Sequence, residues 1–187
     1  LVEVVRCFDD ADIIHVEGKT DPIRDIEIIN VELILADLEI VNNRISKIEK
    51  KAQTTKEKDA VLEYETLKKC ENSLMNNTPL RRVEFNEDEL LLIKNFNFIT
   101  LKPIIYAANV SEDDCIIGEN EYTKLVKEYA KNDDAQVIVM CAKMESELAE
   151  LNDDDKKAFM EDLGLTNSGL DKLIFATYYL LGLQTFF

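Results

Sequence analysis

From Asp21 to Gln53 the chain holds no glycine, and its only proline, Pro22, stands at the very start. Proline is tolerated in the first turn of a helix, where its missing N–H has no intrahelical partner. The stretch therefore predicts one long helix. Its second half carries Val31, Ile34, Leu38, Val41, Ile45, Ile48 and Ala52, at alternating steps of three and four. That repeat is the seam of a coiled coil. A helix of this length spans about 45 Å at 1.5 Å per residue, so something must cover the seam over that distance.

A covering element follows in the chain. The polar link Gln53–Asp59 leads to a second helical pattern, Ala60–Asn76, with Ala60, Tyr64, Leu67 and Leu74 on one face. Helices joined by a short polar link pack antiparallel. We read Val31–Asn76 as an antiparallel coiled-coil arm. Ile26, Ile28, Ile29, Leu33 and Leu35 give its root more than one apolar side, so the root is expected to be buried. The alternative is two amphipathic helices lying flat on a core; the heptad's continuation past the root favours the arm.

Outside the arm the pattern is that of an α/β protein. Val2–Phe8 reads as a strand, followed by a polar turn region over Asp9–Lys19. Asn76–Pro79 ends the arm, and Asn86 is placed to cap a helix at Glu87–Asn95. Then come a strand at Pro103–Ala108, a helix at Glu121–Lys131, a strand at Gln136–Cys141 and short helices between Met144 and Leu163. A final helix, Leu170–Leu181, has Ser168 as its cap. Alternating strands and helices imply a parallel sheet, and short runs rich in Ile, Val and Ala are strands buried on both faces.

In such sheets ligands bind beyond the carboxyl ends of the strands. One strand delivers Asn109-Val110-Ser111-Glu112 to that edge, and the next delivers Cys141-Ala142-Lys143. The amide of Asn109 can meet N7 or an exocyclic group of a purine, and the backbone of Val110 and Ser111 would lie beside the base edge. A carboxylate facing guanine accepts two donors, whereas adenine presents a bare acceptor at N1. Glu112, with a longer reach than aspartate, fits a site that has lost guanine selectivity. Cys141, Ala142 and Lys143 would supply backbone and an aliphatic stem from the other side. The bland alternative is that Asn109 closes a strand and Glu112 opens a solvated loop.

Other candidates are weaker. His15, the single histidine, lies in a polar loop with no nucleophile near it in sequence. Asp153–Asp155 lacks the spacing of a calcium loop and suits a helix start capped by Asn152. No G-x-x-x-x-G-K-[ST] occurs, and one histidine does not assemble a convincing Ser-His-Asp set. Arg44, Lys47, Lys50, Lys51, Lys56 and Lys58 make the far end of the arm locally basic. That is either a solvated surface or a tip that touches RNA phosphate.

Composition narrows the partners. A formal net charge of −16 argues against a general coat for DNA or membrane. Four cysteines without C-x-x-C spacing suit reduced thiols in cytoplasm. No apolar run approaches the ~20 residues of a membrane span. The chain opens on Leu1 rather than Met, so its true N-terminus is expected to lie upstream.

Several longer strings carry a family resemblance. Val4–Glu39 (VVRCFDDADIIHVEGKTDPIRDIEIINVELILADLE), Leu101–Asp113 (LKPIIYAANVSED), Ser146–Leu165 (SELAELNDDDKKAFMEDLGL) and the closing GLQTFF resemble the YchF family of Obg-like ATPases. The resemblance spans essentially the whole chain. It implies a P-loop NTPase of the translation-factor class: a Rossmann-like, mostly parallel sheet with an inserted antiparallel helical arm. On that basis residues 1–20 and 80–187 are the second half of the nucleotide-binding domain, and residues 21–79 are the arm. It also implies a cytoplasmic, ribosome-associated enzyme that hydrolyses ATP to ADP and prefers ATP to GTP, with base recognition at Asn109–Glu112. In the family the phosphate-binding loop and magnesium ligands precede the position of Leu1, and a TGS domain follows Phe187. The expectation is thus a central fragment, inactive alone, with Mg2+ bound only alongside the missing loop. The ribosome would be met through the arm and the TGS domain. The competing expectation is a non-catalytic module whose arm docks on the ribosome or another partner.

Overall fold

The computed structural model describes residues 1–9, 20–55 and 57–183. The chain divides into two compact units, Leu1–Ile26 with Ile104–Phe187, and Glu27–Pro103.

The first unit is built on three parallel strands, β1 (Val2–Arg6), β2 (Ile105–Asn109) and β3 (Gln136–Met140), in the order β1-β2-β3. The register aligns Arg6 with Asn109 and Asn109 with Met140, so all three strands end level. Central β2 has Ile105, Tyr106, Ala107 and Ala108 fully buried, as a strand covered on both faces requires. The strands are shorter than the sequence suggested: Cys7, Phe8 and Cys141 lie just past the ladder. The helix α4 (Glu112–Ile117) follows β2 directly, capped by Ser111 and closed by Gly118 at φ 84°, where a side chain would be strained. The crossover helix α5 (Glu121–Ala130) buries Thr123, Val126 and Ala130. Beyond β3 come α6 (Ala142–Glu150), α7 (Asp153–Asp162) and α8 (Gly169–Leu180). Asn152 and Ser168 cap α7 and α8 as the sequence predicts.

One glycine fixes the approach of α8 to the sheet. A Cβ on Gly169 would lie 2.6 Å from Cβ of Met140. Its N–H and that of Leu170 donate to the Glu145 carboxylate at 2.6 and 3.2 Å. The start of α8 is thereby tied to α6 beside the end of β3.

The second unit contains most of α1 (Pro22–Thr55), together with α2 (Lys58–Met75) and α3 (Glu87–Ile93). At 34 residues, α1 is about 50 Å long. Arg44 pairs with Glu63 and Lys51 with Glu57. One number rises as the other falls, so the helices are antiparallel. The seam is covered as the heptad demands: Ile34, Val41, Ile45 and Ile48 pack in one cluster with Ala60, Leu67, Cys70 and Leu74. Asn86 and Glu89 form a capping box at the start of α3.

The fold departs from two sequence expectations. Val31 opens the heptad but is exposed, and Ile28, Ile29 and Leu35 are exposed as well; of the root only Ile26 is buried and Leu33 half-buried. α1 has more than one apolar side, and among the described residues only the heptad side is covered. Second, residues 80–103 fall with the helices, not with the sheet. Leu80, Ile93 and Phe98 enter the helical core. The buried carboxylate of Asp37 accepts from the backbone N–H of Ile99 and Thr100 at 2.9 and 2.7 Å. Arg81 donates to Asn30 at 2.7 Å. These contacts cross fifty or more residues, beyond the reach of local patterns.

No helix among the described residues is long and apolar enough to cross a membrane.

Candidate functional site

The carboxyl ends of β1 and β2 and the first residues after β3 open onto a cleft of about 600 Å³ in the first unit. Asn109, the last residue of β2, faces it. The backbone around it is fully used by the sheet. Its carbonyl accepts from the Cys7 N–H at 2.8 Å, and the N–H of Val110 donates to the Met140 carbonyl at 2.9 Å. The Asn109 side chain then crosses to the start of α6: Oδ1 accepts from the N–H of Ala142 at 2.9 Å. With the oxygen committed, the amide orientation is set. Nδ2 has no protein partner among the described residues and remains a donor.

The other sequence candidates divide by role. Glu112 and Lys143 line the cleft and pair at 2.6 Å. The bond to Glu112, followed by its charge, pushes the Lys143 ammonium above its ordinary pKa. Ser111 and Val110 border the cleft but serve the fold. The Ser111 hydroxyl caps α4 by accepting from Asp114, and the Val110 side chain is buried in the core. Cys141 borders the cleft and is buried. Ala142 contributes its N–H to Asn109. Asn109, Glu112 and the start of α6 (Cys141 to Lys143) thus meet at one edge.

Sequence reasoning missed Phe8, Asp9 and Asp113, which also line the cleft. The rule that pointed to the end of β2 applies equally to the end of β1, and would have found the first two. Phe8 borders the cleft, with the Arg6 guanidinium 5.0 Å from its ring centroid. The carboxylate of Asp9 accepts from Tyr122 Oη at 2.8 Å, which raises the phenol's pKa. Asn120, also unforeseen, holds this edge from beneath: Nδ2 donates to the Cys7 carbonyl and to Asp114 at 2.7 and 2.8 Å.

The cleft therefore offers one amide donor, an aromatic ring, a paired Glu–Lys and two further carboxylates. No nucleophile–base pair is assembled there among the described residues. The cysteines are buried; desolvation, with help from Asp25, lifts the Cys7 thiol to about 12, and desolvation also raises Cys115. His15 lies outside the described residues. Such a set offers hydrogen-bonding, apolar and charged groups to a ligand.

On the arm, Arg44 is engaged by Glu63 and stacks 5.8 Å from the Phe96 ring, and Lys51 pairs with Glu57 at 2.7 Å. Lys47, Lys50 and Lys58 are exposed and unpaired among the described residues. Lys56 lies outside them. No cluster of three or more His, Cys, Asp or Glu among the described residues could hold a metal ion.

No family model matches the chain. Individual proteins do. The ribosome-binding ATPase YchF of Bacillus subtilis is 50% identical over 188 aligned residues, covering 100% of this chain and 51% of the relative. YchF of Escherichia coli O157:H7 is 44% identical over 98% of this chain and 50% of its own length. Obg-like ATPase 1 of Caenorhabditis elegans is 34% identical over 100% of this chain and 48% of its own. Among solved structures, the YchF GTPase of Schizosaccharomyces pombe superposes with a TM-score of 0.83 at 32% identity, over 96% of this chain and 49% of that one. The chain thus spans about half the length of the curated relatives it matches.

Proposed function

Because the chain belongs to the YchF and Obg-like ATPase family, we propose that it supplies the base-recognition half and the helical arm of a cytoplasmic P-loop NTPase that hydrolyses ATP and associates with the ribosome. One observation carries the reading for the cleft. The amide of Asn109 is locked through its oxygen to Ala142, and the residue lines a cavity at the carboxyl ends of parallel strands, where ligands bind in open α/β sheets. A fixed N–H donor suits the ring-nitrogen acceptor of a purine, and Phe8 offers an apolar face beside it. The relatives' names supply the class: proteins called ribosome-binding ATPases.

The triphosphate needs other residues. The 187 residues contain no G-x-x-x-x-G-K-[ST], and that loop with Mg2+ holds the phosphates in this class of enzyme. Phosphate, Mg2+ and hydrolysis are therefore assigned to residues outside this stretch. The 187-residue chain alone is expected to turn over no ATP; magnesium-dependent turnover by it would refute that division of labour.

The test of the base site is Asn109→Ala in the complete protein, with ATP and GTP affinities measured by calorimetry. The variant is expected to weaken both nucleotides about tenfold, the value of one hydrogen bond lost in a site. Unchanged affinities would remove the base from this cleft.

For the arm we propose the ribosome as partner, on the observation that Lys47 and Lys50 project unpaired from a strongly acidic chain. Reversing both charges is expected to weaken ribosome co-sedimentation with a shallower salt dependence, leaving nucleotide affinity intact. Unchanged co-sedimentation would contradict it.

A further inference from the structure

We infer that Lys143 is the specificity switch of the base cleft: by pairing with Glu112 it withholds from the ligand the carboxylate that guanine requires. The inference rests on the nucleotide reading above and gives a role to a pair that the reading leaves unused.

The chemistry of the two purines sets the problem. Guanine carries two adjacent donors, N1–H and the exocyclic amine, which together match the two oxygens of a free carboxylate. Adenine presents a lone pair at N1 and would face that carboxylate across two acceptors. A cleft edged by an unpaired carboxylate therefore favours guanine, whichever acidic residue provides it. Glu112 supplies the carboxylate; it lines the cleft as the first residue of α4. Its length alone does not remove it from a base, because a glutamate reaches further than an aspartate.

The geometry shows what occupies it. Glu112 Oε1 lies 2.6 Å from Lys143 Nζ, and Lys143 stands one residue past Ala142, whose N–H already fixes Asn109. The pair bridges the first turns of α4 and α6, and both residues line the cleft. One carboxylate oxygen is taken, and the negative charge is neutralised where it would repel adenine N1. The Asn109 donor, by contrast, serves either purine. Discrimination then falls to Glu112, and its availability to Lys143. The two side chains are 72% and 45% exposed, so the pair adds little to folding and is open to a ligand.

The test uses the complete protein and titrates ATP and GTP separately. Lys143→Met keeps the aliphatic stem and removes the charge. It is expected to raise the ratio of GTP to ATP affinity about tenfold, the scale of a charge-assisted hydrogen bond regained. Adding Glu112→Gln to that variant is expected to cancel the gain, because a neutral amide cannot accept both guanine donors. If Lys143→Met leaves the ratio unchanged while ATP still binds and Asn109→Ala still weakens it, the switch is refuted and the base site stands. If Asn109→Ala has no effect on either nucleotide, the base-site reading fails, and the switch fails with it. A gain in GTP affinity that survives Glu112→Gln would also overturn the role of Lys143.

Discussion

One buried carboxylate ties Ile99 and Thr100 to α1, and removing it should be costly. Asp37 is fully buried on α1, and its oxygens accept from Ile99 and Thr100 at 2.9 and 2.7 Å. Thr100 is itself fully buried, and its hydroxyl and carbonyl serve the N–H groups of Leu80 and Arg81 at 3.3 and 2.9 Å. In Asp37→Ala the Thr100 N–H has no route to water, at a cost of about 2–3 kcal/mol for a buried donor that had a charged partner. The Ile99 N–H is half-buried and recovers some hydration, adding about 1 kcal/mol. Relief of the carboxylate's own desolvation returns part of this. The net expectation is about 3 kcal/mol. Asp37→Asn keeps one acceptor and turns a donor toward the other N–H, for about 2 kcal/mol. Urea unfolding followed by far-UV circular dichroism gives the totals, and amide exchange at Ile99 and Thr100 localises them. A loss below about 1 kcal/mol in Asp37→Ala, with exchange at Thr100 still slow, would refute the argument.

Other outcomes follow from the same structure. Leu67→Ala, at the fully buried centre of the α1–α2 seam, should cost about 3 kcal/mol in urea unfolding; a loss under about 1 kcal/mol would mean the seam is loose. Glu89 has a carboxyl pKa lowered below its ordinary 4.5 by the Asn86 N–H and then by Lys69. Its contribution is therefore complete above pH 4.5 and lost as pH falls through the depressed folded value. Glu89→Ala should destabilise by about 1 kcal/mol at pH 7 and by nothing once both forms are protonated; a gap that persists in acid would contradict this. Cys7 and Cys70 have thiols raised to about 12 by burial, so at pH 8 only about one in ten thousand is thiolate. Both should react with a disulfide reagent only after unfolding, and rapid labelling of the native chain would be the contrary result.

Much of this was legible in the residues. The three-four spacing of Ile34 to Ala52 forecast a seam; Ile34, Val41, Ile45, Ile48 and Ala52 are buried and Leu38 half-buried, because a heptad has one face to hide. Caps at Asn86, Asn152 and Ser168 were readable because the cap and its partner N–H lie within three residues. Asn109 and the loop at Ala142 could be placed together because parallel strands end at a common edge. What escaped was either too short or too distant. The six-residue α4 is less than two turns and leaves no period to detect. The bonds of Asp37 to Ile99 and Thr100 join positions whose separation only the fold closes. Residues 80–103 consequently read as part of the sheet unit. The exposed Ile28, Ile29 and Leu35 show the converse limit. An apolar residue on a helix predicts a need for cover, and the sequence does not say which face receives it.

The most direct test of the base site is a structure of the complete protein bound to a non-hydrolysable ATP analogue. The account predicts the adenine ring in the cleft between Phe8 and the start of α6, with Asn109 Nδ2 at about 2.7–3.2 Å from a ring nitrogen and Lys143 still on Glu112. An adenine seated elsewhere, with the cleft beside Asn109 filled only by solvent, would contradict it.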